Sequence, residues 1–294
     1  MPNRSRLGYY LFDEEIIFMK PTKLLSVIAT ATMMLTAVSC GQKKDAKVLV
    51  LYYSQTSNTE QVANEIASRL NADKEAIVAV NPYDGDFHAT IERCMQEREQ
   101  GVLPEIQPVD ANLDDYDVIF LGYPVWFGTF APPVITWLNS VDLSGKTIVP
   151  FCTFGSGGLD SSTRDLAAKQ PNANILHGYG VRAARLAAMP KEIDRFLKEN
   201  GFLEGEYTVL QEFGEQHEVS AEESTIFDAA VNGYPMLHAK ATKVAVRAIP
   251  DGTEYLFTAV DLPREGTPEM PAHELQVYVT VANGEAPVFT QVIR

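Results

Sequence analysis

Between Tyr53 and Glu60 the chain runs Ser54-Gln55-Thr56-Ser57-Asn58-Thr59, six consecutive hydroxyl and amide residues. The apolar run from Val48 to Tyr53 ends just before them. Val62, Ile66 and Leu70 recur at helical spacing just after. A turn of this composition at the start of a helix offers backbone N–H groups, side-chain hydroxyls and the positive end of the helix dipole, a setting that binds phosphate. No lysine interrupts it, so it is not the lysine-bearing loop of nucleoside triphosphatases. Neutral donors alone suit the single phosphate of a mononucleotide. Ser, Thr and Asn are also the usual N-cap residues, and an ordinary capped helix explains the segment equally well.

Two later segments have the same form, an apolar strand running into a loop that could do chemistry. Asp117–Tyr123 runs into Pro124-Val125-Trp126-Phe127-Gly128. Trp126 could lay its indole on an aromatic ligand or anchor a helix to a sheet. Its place just past a strand end, between Pro124 and Gly128, favours the ligand. Thr147–Cys152 runs into Thr153-Phe154-Gly155-Ser156-Gly157-Gly158. Glycines there let backbone N–H groups approach a ligand with no side chain between, or they form a plain connecting turn.

The elements that would position these loops alternate. Strands are expected at Lys47–Tyr53, Glu75–Val80, Asp117–Tyr123, Thr147–Cys152 and Ala173–Tyr179. Helices are expected at Asn58–Leu70, Phe87–Gln100, Pro132–Asn139, Asp160–Ala168 and Pro190–Asn200. Five apolar strands alternating with helices predict a doubly wound α/β domain, a parallel sheet covered on both faces. Such sheets bind ligands at the carboxyl ends of their strands, where all three loops fall.

This order of strand-end loops, first phosphate, then aromatic, then Gly-rich, resembles flavodoxin, and is most similar to the flavodoxin-like family with Tyr-Pro-x-Trp in the second loop. The resemblance covers Ala46 to Asn200. It implies a flavodoxin-like five-stranded parallel sheet holding FMN. Ser54, Gln55, Thr56, Ser57, Asn58 and Thr59 would take the phosphate. Pro124, Val125, Trp126, Phe127 and Gly128 would lie against the ring, with Trp126 stacked on it. Thr153, Phe154, Gly155, Ser156, Gly157 and Gly158 would approach its other edge. The implied function is a redox flavoprotein, an electron carrier or a reductase of small acceptors such as quinones, with a partner protein or small-molecule acceptor. Flavodoxins usually carry Gly at the fourth position of Thr/Ser-x-Thr-Gly-x-Thr, and Ser57 stands there instead. That departure keeps a second function open, an envelope binding module on a flavodoxin-like scaffold without cofactor. No residue is nominated as a catalytic acid or base, and the five histidines make no metal-ligand pattern. Tyr83 and Arg93 read as packing and surface residues rather than substrate contacts.

With 294 residues, 46% of them hydrophobic, the chain can bury one large core or two smaller ones. A formal charge of −15 argues against a nucleic-acid partner. Residues 1–45 read as an N-terminal extension, a lipoprotein signal peptide and a tether. Met19-Lys-Pro-Thr-Lys23 is a positive start, and Leu24–Val38 is apolar or small and too short to span a bilayer convincingly. The run ends in Ala37-Val38-Ser39-Cys40-Gly41-Gln42, which resembles a lipobox. Cys40 is therefore expected to begin the mature protein and carry lipid. Met1–Phe18 would precede the true start. The protein would sit in the bacterial cell envelope, facing periplasm or exterior, and touch membrane through the anchor only. Cys94 and Cys152 would remain, with no Cys-x-x-Cys motif.

Residues 206–294 change period. Glu222–Val231 reads as a helix. Lys240–Ala248 and Tyr255–Val260 flank Pro250-Asp251-Gly252, and Leu275–Val281 and Val288–Ile293 flank Asn283-Gly284, two hairpin signals. One helix and about four antiparallel strands make a small α+β domain. It weakly resembles cystatin-like domains, although Arg247–Gly252 lacks that family's inhibitory Gln-x-Val-x-Gly turn. Gly201–Gly205 is the expected boundary. Because all three loops precede Asn200, this domain is expected to fold alone and to be dispensable for flavin binding.

Overall fold

The computed structural model describes residues 35–39, 46–84, 86–234, 237–263 and 273–294. Cys40, the tether at 41–45 and the expected leader up to Met34 lie outside that set. Within the described residues, Met34–Arg294 belongs to one compact unit. The last part of the expected leader is a strand, β1 (Leu35–Ser39), paired antiparallel with residues 205–209.

The parallel sheet contains β2 (Val48–Tyr52), β3 (Asp73–Ala76), β4 (Val118–Trp126), β6 (Thr147–Phe154), β7 (Asn174–Ile175) and β8 (Tyr179–Arg182), with β5 (Thr129–Phe130) turned back on β4. Its order is β3-β2-β4-β6, with β7 and β8 sharing the outer side of β6. Every pairing except β4 with β5 is parallel. The central strands read as unbroken apolar runs because both their faces are covered. The covering helices are α1 (Asn58–Leu70), α2 (Phe87–Gln100), α3 (Pro132–Ser140), α4 (Leu159–Lys169) and α5 (Met189–Glu199). On one face Val62 and Ile66 of α1 and Ile193 and Phe196 of α5 pack on Val50, Phe120 and Val149. On the other, Cys94, Val134, Trp137 and Leu166 from α2, α3 and α4 pack on Leu51, Ile119 and Ile148. The chain passes from one side of β2 to the other between β3 and β4, so the strand order reverses beside the first loop.

Three strands differ from expectation for local reasons. The strand expected at Glu75–Val80 leaves the sheet after Ala76, because Val80 donates to Glu105 and Gln107 donates to Val78, drawing the segment towards Ile106. The strand expected at Ala173–Tyr179 is split into β7 and β8. The register passes from Ile148–Ile175 to Phe151–Tyr179. The break therefore lies opposite Pro150, which has no N–H to give a neighbour. The strand expected to stop at Tyr123 continues through Trp126 and reverses at Phe127 and Gly128, whose φ values of 51° and 81° fit a two-residue hairpin turn.

The chain leaves α5 through β9 (Gly205–Val209), the partner of β1, and builds a second sheet from β10 (His217–Glu218), β11 (Ala239–Ile249), β12 (Gly252–Asp261), β13 (Glu274–Ala282) and β14 (Val288–Ile293). These five strands are antiparallel in chain order. The short β10 is one more than the sequence suggested. Helix α6 (Ala221–Val231) starts at a capping box in which Ser220 and Glu223 satisfy each other's backbone donors. Its Phe227 fills a core with Val244, Phe257, Val277 and Phe289. The Gly201–Gly205 junction is not a gap between independent bodies, since β14 reaches back to the Gly-rich loop of the parallel sheet.

Candidate functional site

The first loop joins β2 to α1. Tyr53 N donates to Gly122 O at 2.9 Å, fixing the start of the loop to β4. Ser57 is the N-cap of α1 and has φ 59° and ψ 4°, a left-handed conformation, and its side chain makes no capping bond. A glycine would adopt this conformation freely, so Ser57 preserves the turn at a cost of roughly 1–2 kcal/mol. Ser54 Oγ is buried and has no hydrogen-bond partner among the described residues. Such an orphan costs about 1–3 kcal/mol unless something fills the position. Thr59 is buried, and its Oγ1 lies 2.8 Å from Thr153 Oγ1. Asn58 Nδ2 donates to the exposed Thr56 hydroxyl at 3.2 Å. Gln55 turns its side chain towards Tyr83 and α2, donating to Tyr83 O (2.9 Å) and Thr90 Oγ1 (2.7 Å), which commits both of its side-chain N–H groups.

The second loop is the β4–β5 hairpin. Trp126 is half-buried between two tyrosines, edge-on to Tyr83 (ring centroids 5.1 Å apart) and to Tyr53 (6.0 Å). Tyr83 is itself held by its hydroxyl bond to Glu97 (2.6 Å) and by the Arg93 guanidinium 3.8 Å above its ring. Tyr83 and Arg93 are thus packing residues that fix Trp126. Burial, then the bond to Glu97, push the Tyr83 phenol far above its ordinary value, so it stays protonated at neutral pH. Pro124 O accepts from Ala131 N at 3.2 Å, and Ser161 Oγ donates to Gly128 O at 2.6 Å, tying the hairpin to α3 and α4. Phe127, at the tip, is 51% exposed.

The third loop lies against both others. Thr153 meets Thr59, and Phe154 is buried at the end of β6. At Gly158 (φ 120°) an added Cβ would come within 2.5 Å of Val125 Cγ1, so only glycine lets the third loop rest on the second. At Gly157 (φ 153°) the same atom would come within 2.5 Å of Val292 O, in β14. Ser156 O accepts from Val292 N at 2.6 Å. Gly155 O accepts from Arg182 Nε at 2.8 Å, and Arg182 Nη1 also donates to Phe289 O at 2.6 Å. All three loops precede Asn200, as expected from the sequence, and β14 contacts the third of them at Ser156. Sequence reasoning missed Arg182, Phe289 and Val292. An arginine closing the otherwise uncharged strand Tyr179-Gly-Val-Arg182 was the available signal.

The structure brings all three loops together at the carboxyl ends of β2, β4 and β6, in a doubly wound α/β domain whose strand order reverses beside the first loop. Residues 47–189 match the flavodoxin family model, and this part of the chain is flavodoxin-like. Solved structures similar to the chain include candidate flavoproteins from Bacteroides eggerthii (27% identical, covering 51% of this chain and 99% of that one, TM-score 0.43) and Bacteroides uniformis (28% identical, 51% and 98%, TM-score 0.45). A flavoprotein in complex with FMN from Lactobacillus acidophilus is 22% identical, with coverage of 51% and 97% and a TM-score of 0.42.

Proposed function

We propose that the three loops hold one FMN non-covalently and that the protein is a redox flavoprotein, an electron carrier or a reductase of small acceptors such as quinones. The observation that carries this reading is the buried, unpartnered Ser54 hydroxyl, placed beside the N-terminus of a 13-residue helix whose cap residue leaves its donors free. A phosphate would meet that hydroxyl and the first N–H groups of α1. The Thr59–Thr153 pair adds one more donor, since two hydroxyls sharing one bond leave one proton unused. When bound, FMN would supply the electron transfer. Trp126, held by Tyr53 and Tyr83, would bury the ring and keep water from it. The first loop would orient the phosphate inward.

The left-handed Ser57 supports this reading over a scaffold without cofactor, since the departure from glycine leaves the turn in the conformation glycine would take. Titration of the purified protein with FMN, riboflavin and FAD, followed by flavin fluorescence, tests it. FMN should bind tightest, because riboflavin leaves the phosphate donors without a partner. Failure of both FMN and riboflavin to bind would leave the envelope binding module as the better reading. The same proposal places the protein on a membrane of the cell envelope through lipid on Cys40, supported by the basic start, the apolar run and the small residues before Cys40.

A further inference from the structure

The antiparallel sheet holds the third loop from behind, and the manner of holding has a chemical sense. A trans peptide points its N–H opposite to its C=O. The Gly155 carbonyl faces Arg182 and the Ser156 carbonyl faces Val292 N. The N–H groups of Ser156 and Gly157 therefore point away from Arg182 and from β14, and neither donates to an acceptor among the described residues. Two successive free N–H groups make a donor pair suited to a carbonyl oxygen or an anionic edge.

Arg182 adds charge to this geometry. Its guanidinium donates to the carbonyls of Gly155 and Phe289 and lies over the ring faces of Phe289 (4.3 Å) and Tyr234 (5.1 Å), with the like charge of Arg185 close enough to be felt. Among the described residues no carboxylate forms an ion pair with it, in a chain carrying a formal charge of −15. Burial lowers its pKa, yet an arginine stays charged at neutral pH. Partly withdrawn from water and without a counter-ion, this charge is screened less than a surface charge.

We propose that the antiparallel domain forms the third wall of the flavin site. It turns the N–H groups of Ser156 and Gly157 towards the flavin ring and fixes the Arg182 charge behind the loop. This rests on the flavin reading above. Arg182, Phe289 and Val292 are positioning residues, and the charge favours the reduced, electron-rich ring over the oxidised one. Residues 206–294 then tune the potential of the cofactor from the third loop.

The test uses the full chain with Arg182→Gln, Arg182→Lys and Val292→Pro. FMN and riboflavin affinities are read by fluorescence titration, the flavin potential by equilibration with a redox dye, and amide exchange at Ser156 and Gly157 in flavin-free protein by NMR. Arg182→Gln should weaken FMN and riboflavin by the same factor, about tenfold for a lost charge-assisted bond. It should also shift the balance towards oxidised flavin. Arg182→Lys should restore the balance without fully restoring affinity. Val292→Pro, a change an edge strand can accept, should weaken both flavins and alter exchange at Ser156 and Gly157. Unchanged ring affinity and potential in the variants, with wild type binding FMN, would overturn the proposal. So would a loss confined to FMN, which would assign the effect to the phosphate. A wild-type protein that binds neither flavin refutes the flavin reading itself, and this proposal with it.

Discussion

The hydroxyls of Thr59 and Thr153 stand 2.8 Å apart in a buried position, although 94 residues separate them in the chain. This bond joins the first loop to the third, so the expected phosphate end and ring end of the site share one hydrogen-bonded pair. Thr59→Val should strand the Thr153 hydroxyl and cost about 1–3 kcal/mol, whereas Thr59→Val with Thr153→Val should be close to neutral. Urea unfolding of the single and double variants measures the difference. A loss in the double variant equal to the sum of the losses in Thr59→Val and Thr153→Val would show that the pair does not interact.

Ser54→Ala separates stability from binding. The hydroxyl has no partner in the flavin-free structure, so its removal should leave stability unchanged or raise it by about 1 kcal/mol. FMN affinity should fall and riboflavin affinity should not. Thermal unfolding without flavin, set beside the two titrations, reads both effects. A destabilised protein with unaltered FMN binding would remove Ser54 from the site.

Ser57→Gly relieves a left-handed conformation in a residue with a Cβ. The gain is roughly 1–2 kcal/mol from the native state, reduced by about 0.4–1 kcal/mol for the extra freedom of the unfolded chain. A higher urea midpoint at constant slope is the expected result. FMN binding should be retained, because the turn keeps its shape.

Trp126→Ala should weaken FMN and riboflavin alike, since the ring is common to both. The loss of a large stacked aromatic is worth roughly 1.5–3 kcal/mol. It should also loosen Tyr53 and Tyr83, which pack edge-on to the indole. A loss for FMN alone would place Trp126 away from the ring.

Cys40→Ala tests the anchor. The variant should leave the membrane fraction or remain unprocessed, as followed by fractionation and mass of the mature N-terminus. A Cys40→Ala protein that is still membrane-bound and normally processed would sink the lipid assignment.

The sequence carried the central sheet in plain form. Residues 48–52, 118–120 and 148–151 are apolar because they are covered on both sides, and the helices between them follow their spacing closely. Asn58–Leu70 and Phe87–Gln100 lie where periodicity put them. Edges were less legible. The exit of Val78 and Val80 depends on pairing with Glu105 and Gln107, and the break between β7 and β8 lies opposite Pro150 in another strand. The side-chain commitments of Gln55 and the docking of β14 on Ser156 join residues 28 to 136 positions apart (292 − 156 = 136). No local pattern encodes such contacts. Glycines at 157 and 158 were visible, but the atoms they make room for, Val292 O and Val125 Cγ1, were not.

Among the described residues β1 is the sole partner of β9, and it ends at Ser39. If a signal peptidase cuts ahead of Cys40, it removes a strand along with the leader. Gly205–Val209 would then pass from a paired strand to an open edge, at the point where the chain leaves α5 for the second sheet. Precursor and exported product would differ at this joint, and the edge that β1 occupies would open to a strand from another chain only after processing. Maturation would act in effect as a clock for assembly.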